Sequence, residues 1–304
     1  MRFPPFLSLS DKVALISASG PVPEGRLEAS IASVRAFGLE PIVYPTCSLK
    51  HGYLAGTDKQ RAKDLQDAFA NPEAKAVICI RGGYGAQRLA EYVDYGKIAE
   101  SGKGLYGYSD ATALHIELNQ RGLATWHAPM PSTEWIKELD PFTISSLKAA
   151  LFGPMPRVLE NEDSFPRHTL VPGVAEGILA GGNLSLVASS IGTPYELDAS
   201  GKILFLEDVD ESPYHIDRLL LHLRSRGMFK SCAGVILGPF VDCKASSEKD
   251  SLNIDEIIEE LLSDIGKPVM KDFQCGHMLP TLSVPLGAKV RLDAGAKSVE
   301  ILGF

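Results

Sequence analysis

The stretch GLYGYSDATALH, residues 104–115, sets Ser109 between an extended run and a helical one. In an α/β protein a nucleophilic hydroxyl sits on such a strand-to-helix corner. There its Oγ points away from the backbone, and the first-turn amides of the helix face any developing oxyanion. Gly107 holds the first position of the corner, and Ala111 stands where the G-x-S-x-G pattern has its second glycine. The same residues also suit a helix N-cap, because Ser and Asp side chains accept from first-turn amides. The segment alone leaves both readings open.

RGGYGA, residues 81–86, also follows an apolar run and opens toward a helical one. Its glycines let backbone amides approach a ligand closely, so the loop could supply an oxyanion donor or be only a tight turn. It is not the dinucleotide fingerprint G-x-G-x-x-G, and no suitable acid ends a following strand.

A nucleophilic serine needs a base, and seven histidines are available. His115 lies six residues beyond Ser109 on the expected helix, where it points elsewhere. His215 and His222 belong to a long helix, where surface or packing roles are the default. His51, His127 and His168 are read as loop residues with no acid-bearing strand nearby. His277, in FQCGHMLPT, stands in a glycine-flanked loop before a proline, which lets an imidazole project; an ordinary loop histidine is the bland alternative.

The base in turn needs an orienting carboxylate. Glu207 follows the apolar run ILFL in KILFLEDVDESP, at the carboxyl end of a strand, where ligands gather in open α/β sheets. Asp208, Asp210 and Glu211 crowd the same turn and could instead oppose the dipole of the helix that begins near Pro213. A metal site is disfavoured, since neither HExxH nor paired Cys/His spacing accompanies these acids.

The elements that would position these residues alternate strand and helix through the first part of the chain. KVALISAS, EPIVYP, AKAVICI and KGLYGY read as strands. Helices are expected over EGRLEASIASVRAFG, about 58–69, AQRLAEYV and ATALHIELNQRG. Such alternation implies an α/β, doubly wound, mostly parallel sheet over residues 1–135. Prolines and mixed charges over 136–172 read as an interdomain linker. Residues 173–304 read as a second, β-rich domain. Its helix SPYHIDRLLLHLRSRG has Ser212 as N-cap, an acidic helix spans SLNIDEIIEELLSDIG, and the last stretch alternates like antiparallel strands.

Net charge is −8, which disfavours nucleic acid and anionic membranes as main partners. No apolar run reaches the ~18 residues of a spanning helix. The proline-broken N-terminus lacks a signal-peptide core, and five scattered cysteines form no CxxC pair. These features lead to the expectation of a cytoplasmic protein with reduced thiols.

Taken together, RGGYGAQRL, GYSDATALH, GGNLSL…GTPYE, ILFLEDVDESPYHIDRLLLHL, GVILGPF and GHMLPTLSVPLGA resemble, in order and through nearly the whole chain, the LD-carboxypeptidases. These are serine peptidases of murein tetrapeptide recycling. The resemblance implies a flavodoxin-like N-terminal domain carrying the nucleophile and a smaller β-rich domain carrying its partners. It implies a Ser-Glu-His triad of Ser109, Glu207 and His277, no metal or organic cofactor, and a homodimer. The implied reaction is hydrolysis of the meso-diaminopimelyl–D-alanine bond of murein tetrapeptides through an acyl-enzyme. The oxyanion would lie against the backbone amides of Asp110 and Gly83. A carboxypeptidase must also hold a terminal carboxylate, and Arg81 beside the glycine loop is the candidate, with an ordinary salt bridge as its alternative. The nearest rival is a related peptidase that cleaves microcin-type peptidyl-nucleotide conjugates. A non-catalytic two-domain binding protein is the rival of a different class.

Overall fold

The computed structural model describes residues 1–245 and 251–303. The chain forms two compact units, Met1–Met155 with Ser283–Leu286, and Pro156–Leu282 with Gly287–Phe304.

The first unit is built on five parallel strands, Lys12–Ile16 (β1), Glu40–Val43 (β2), Ala76–Cys79 (β3), Gly104–Gly107 (β4) and Thr125–His127 (β5). They lie in the order 2-1-3-4-5, the flavodoxin-like arrangement. β1 and β3 are adjacent, so the sheet has its topological switch point between them. After Lys12, β1 is apolar and buried on both faces, as are β3 and β4, which a doubly wound sheet requires. The 58–70 helix starts at Thr57 with a full capping box to Gln60, two orphan amide positions met reciprocally. Trp126, Tyr106 and Ile78 belong to the buried core on which Trp135 and Leu147 also pack.

The second unit holds an eight-stranded sheet. Its strands are Val158–Leu159 (β6), His168–Val171 (β7), Val174–Asn183 (β8), Ile203–Val209 (β9), Gly234–Val241 (β10), Val269–Lys271 (β11), Lys289–Asp293 (β13) and Ser298–Gly303 (β14). The order is 6-14-13-8-9-10-11-7. β8, β9, β10 and β11 run parallel, and antiparallel strands complete both sides. The C-terminal β13–β14 hairpin is antiparallel, as its alternation predicts. The acidic helix is Ile254–Leu262, started by an Asn253–Glu256 capping box.

Several expectations change. Residues 136–172 do not form a bare linker. Asp140 caps and Pro141 opens the helix Pro141–Phe152 of the first unit, and β6 and β7 belong to the second. The proline there starts a helix, its missing N–H being one of the orphans at a helix start. AQRLAEYV makes only a short 3₁₀ turn, Ala86–Leu89, before a new helix begins at Tyr95. His127 ends β5 and is buried, and His168 opens β7. Val284–Leu286 (β12) is not part of the C-terminal meander: it pairs antiparallel with β5 at the edge of the first sheet. Ser212 occupies the N-cap position of the Pro213–Arg226 helix, yet its side chain makes no capping bond.

Candidate active site

Ser109 follows β4 after one residue and begins a tight helical turn, Ser109–Ala111, that runs into the helix Thr112–Gln120. Its φ is 63°, in the left-handed region that non-glycine residues avoid. Strain of this kind is stored where the surrounding structure over-determines it. Two glycines make room for it. A Cβ on Gly107 would lie 2.9 Å from Cys79 Cβ, and one on Gly82 would lie 3.1 Å from Ser109 Oγ. Ser109 itself is half-exposed.

The neighbouring Asp110 is buried and stitches the corner to the glycine loop. Its Oδ2 accepts from Ala86 N–H at 2.7 Å, with further hydrogen bonds from Ser19 and from the Gly85 amide. Burial pushes its carboxyl above the usual range, against the pull of those bonds. Arg61, equally buried, donates to Ala18 O at 2.5 Å and Gly85 O at 2.7 Å and pairs with Asp58. Gly20 N–H donates to Gly82 O at 3.1 Å. The loops leaving β1, β3 and β4 are therefore one hydrogen-bonded assembly at the carboxyl edge of the sheet. Within it the Asp110 amide heads the first turn, where helix N–H groups have no intrahelical acceptor. Gly83 is exposed with φ 114°, a conformation suited to glycine.

Behind the serine, Tyr108 donates its hydroxyl proton to the buried carboxylate of Glu134 at 2.9 Å. Glu134 also accepts from Met130 N–H at 3.0 Å and Thr133 Oγ1 at 2.6 Å. Sequence reading missed Glu134, because nothing in PSTEW marks it as the partner of a tyrosine in another segment. His115 is fully buried with Nε2 2.9 Å from Gly107 O, and burial pulls its pKa down to about 4. It braces the turn and is no base for Ser109.

In the second unit, Glu207 lies on the central strand β9, opposite Asn183 of β8. His277 Nδ1 is 2.7 Å from Glu207 Oε2, with the histidine side chain 14% exposed and the glutamate 0%. The other oxygen, Oε1, is buried and takes no hydrogen bond from any of the described residues. The buried carboxylate accepts from Nδ1–H and so holds the tautomer with the proton on Nδ1. Gly276 lets the two approach, since a Cβ there would sit 2.6 Å from Oε2. The sequence shows a glycine-flanked loop that lets the imidazole project, but not the role of that glycine beside Glu207.

The other acids of the turn separate from Glu207. Successive strand residues face opposite ways, and Asp208 turns to Asn183 Nδ2 at 2.7 Å and to Ser185 N and Oγ at 2.9 and 2.8 Å. It anchors the start of the 184–190 helix. Glu211 pairs with His215 at 2.8 Å, and Asp210 sits in a left-handed turn with φ 58°. Arg81 forms no salt bridge among the described residues: it donates to Pro21 O at 2.7 Å and Gly82 O at 3.1 Å. No helix among the described residues is long and apolar enough to cross a membrane.

Comparison with known proteins supplies the context for this chemistry. Residues 13–128 match the LD-carboxypeptidase N-terminal domain model, and residues 176–292 match the C-terminal domain model. The chain is 38% identical over 300 residues to a probable murein peptide carboxypeptidase of Bacillus subtilis, spanning 98% of this chain and 93% of that one. It is 31% identical over 290 residues to the murein tetrapeptide carboxypeptidase of Pseudomonas aeruginosa, 94% of each chain being covered. The solved muramoyltetrapeptide carboxypeptidase of Oxalobacter formigenes superposes with a TM-score of 0.84 at 30% identity, over 95% of this chain and 97% of that one.

Proposed function

Since the chain belongs to the LD-carboxypeptidase family, a family of serine-type carboxypeptidases, we propose that it removes the terminal D-alanine from murein tetrapeptides during cell-wall recycling. The bond cleaved is the one between meso-diaminopimelate and D-alanine. Ser109 is the nucleophile, His277 the base and Glu207 the group that orients it. The observation that carries this reading is the 2.7 Å contact between His277 Nδ1 and the buried Glu207 carboxylate. It leaves Nε2 as the atom able to take a proton.

In the proposed cycle Ser109 Oγ attacks the scissile carbonyl carbon as its proton passes to His277 Nε2. The tetrahedral oxyanion rests against the backbone amides of Asp110 and Gly83. Loss of one such donor typically costs ~10²–10³ in rate. The imidazolium returns the proton to the leaving D-alanine nitrogen, and the C–N bond breaks. A water molecule then attacks the acyl-enzyme with His277 again as base, releasing tripeptide and restoring the hydroxyl. Glu207 orients the imidazole and stabilises its charged form in both halves. Arg81 is the proposed contact for the terminal carboxylate. A homodimer and a cytoplasmic location belong to the same proposal.

Mass spectrometry of D-alanine release from purified tetrapeptide tests it, alongside a peptidyl-nucleotide conjugate. Release from the tetrapeptide supports the reading. Turnover of the conjugate alone would transfer the chain to the rival substrate class.

A further inference from the structure

Arg81 is half-buried, and no carboxylate balances it among the described residues. Two of its five N–H donors go to the carbonyls of Pro21 and Gly82. Burial and, after it, the like charge of the Arg26 guanidinium pull Arg81 below the usual arginine range. Arg26 is itself exposed, forms no ion pair among the described residues, and holds the N-cap position of the ten-residue helix Leu27–Ala36. A cation there opposes the helix dipole, which favours negative charge at that end. Glu28, in the same first turn, is exposed and pairs with neither arginine. Two like charges, one of them at a helix start, thus raise the positive potential around Arg81, and no carboxylate among the described residues pairs with either.

Arg81 lines a recess of about 640 Å³ together with Gly20, Pro21, Tyr53, Gly83 and Tyr84. It lies where the loops leaving β1 and β3 part, at the topological switch point, where open α/β sheets receive ligands. Tyr53 and Tyr84 form its wall as an edge-to-face pair with centroids 5.7 Å apart. They are 67% and 51% exposed, so much aromatic surface is left uncovered. The recess opens one residue from Gly82, the glycine that crowds Ser109 Oγ.

We infer that this recess is the subsite for the leaving D-amino acid: Arg81 and Arg26 hold its α-carboxylate, and Tyr53 and Tyr84 cover its small aliphatic side. The inference rests on the carboxypeptidase reading above and adds Arg26 and the tyrosine pair to it. It also explains the requirement for a free chain end. An amide or an extended chain at that position brings no charge to two unpaired guanidiniums.

The test is equilibrium binding to the Ser109→Ala protein, comparing murein tetrapeptide with the same peptide ending in D-alaninamide. The acid should bind about tenfold or more tightly than the amide, as charge-assisted contacts allow. Arg26→Gln should cut that preference severalfold, and Arg81→Gln should cut it further. Tyr84→Ala should weaken both ligands alike. Equal affinity for acid and amide, or a preference that survives both arginine changes, overturns the subsite. D-Alanine release by the unaltered protein is scored in parallel. Release without the acid preference removes the subsite alone, whereas no release from tetrapeptide removes the substrate assignment beneath it.

Discussion

Gly276 and Glu207 are packed so closely that a methyl group on the glycine would sit 2.6 Å from carboxylate Oε2. The glycine also has φ 140°, which a side chain makes costly. Gly276→Ala must therefore push Glu207 or the His277 loop aside. Displacement on the order of 1 Å at a catalytic pair can cost ~10²-fold in rate. We expect kcat for D-alanine release to fall by about that factor while the protein stays folded, with a lower melting temperature. An unchanged kcat would show that the carboxylate–imidazole contact is not used in turnover.

Ser109 predicts opposite movements of stability and activity. A non-glycine residue in the left-handed region carries ~1–2 kcal/mol of conformational cost, and a glycine there gives back ~0.4–1 kcal/mol through the freer unfolded chain. Ser109→Gly should therefore match or exceed Ser109→Ala in stability, by up to about 1.6 kcal/mol on these figures. Both variants should lose turnover with tetrapeptide. Urea unfolding of the two proteins, with D-alanine release as the second readout, checks this. A glycine variant clearly less stable than the alanine one would mean the turn is not strained.

Asp110 links the serine corner to the glycine loop through the amides of Gly85 and Ala86 and through Ser19. Asp110→Asn replaces an acceptor oxygen with an NH₂ group that faces donors. An unmet buried donor costs about 1–3 kcal/mol. We expect that loss in chemical denaturation, together with a fall in kcat as Gly83 loosens. Wild-type stability in the variant would show that the loop is held by Arg61 without Asp110.

The strand–helix alternation of the first part was legible because buried parallel strands are short apolar runs and their helices repeat every three or four residues. The corner at Ser109 and the glycine before His277 were legible for a local reason too, since each depends on a few consecutive residues. What escaped was set by distant partners. VPL reads as one more strand of a C-terminal meander, and only the paired backbone reveals that β12 joins β5. Prolines over 136–172 suggest a linker, yet Pro141 begins a helix because Asp140 caps it. Asp208 and Glu207 are neighbours in sequence and divide their roles because a strand turns them to opposite faces. Glu134 is engaged through tertiary contacts that no local pattern announces.

His115 makes acid sensitivity a local property of the serine corner. Its ring is fully buried, Nε2 donates to Gly107 O at 2.9 Å, and Nδ1 has no hydrogen-bond partner among the described residues. Burial depresses its folded pKa from 6.5 to about 4. Above pH 6.5 both folded and unfolded states hold it neutral, so it has no effect on the pH dependence. As pH falls below 6.5 the unfolded chain binds a proton that the folded state refuses, and stability declines. The decline ends near pH 4, where the folded state also takes the proton, and its full size is about 3 kcal/mol at 1.36 kcal/mol per pKa unit. His115→Gln keeps a donor for Gly107 O and removes the titration. Unfolding free energies measured from pH 7 to pH 4.5 should therefore drop more steeply for the natural protein, by about 2–3 kcal/mol across that span. Because Asp110 and Asp208 titrate in both proteins, only the difference between the two curves reports His115. Parallel curves would mean that the imidazole is reached by water and protonated in the folded state.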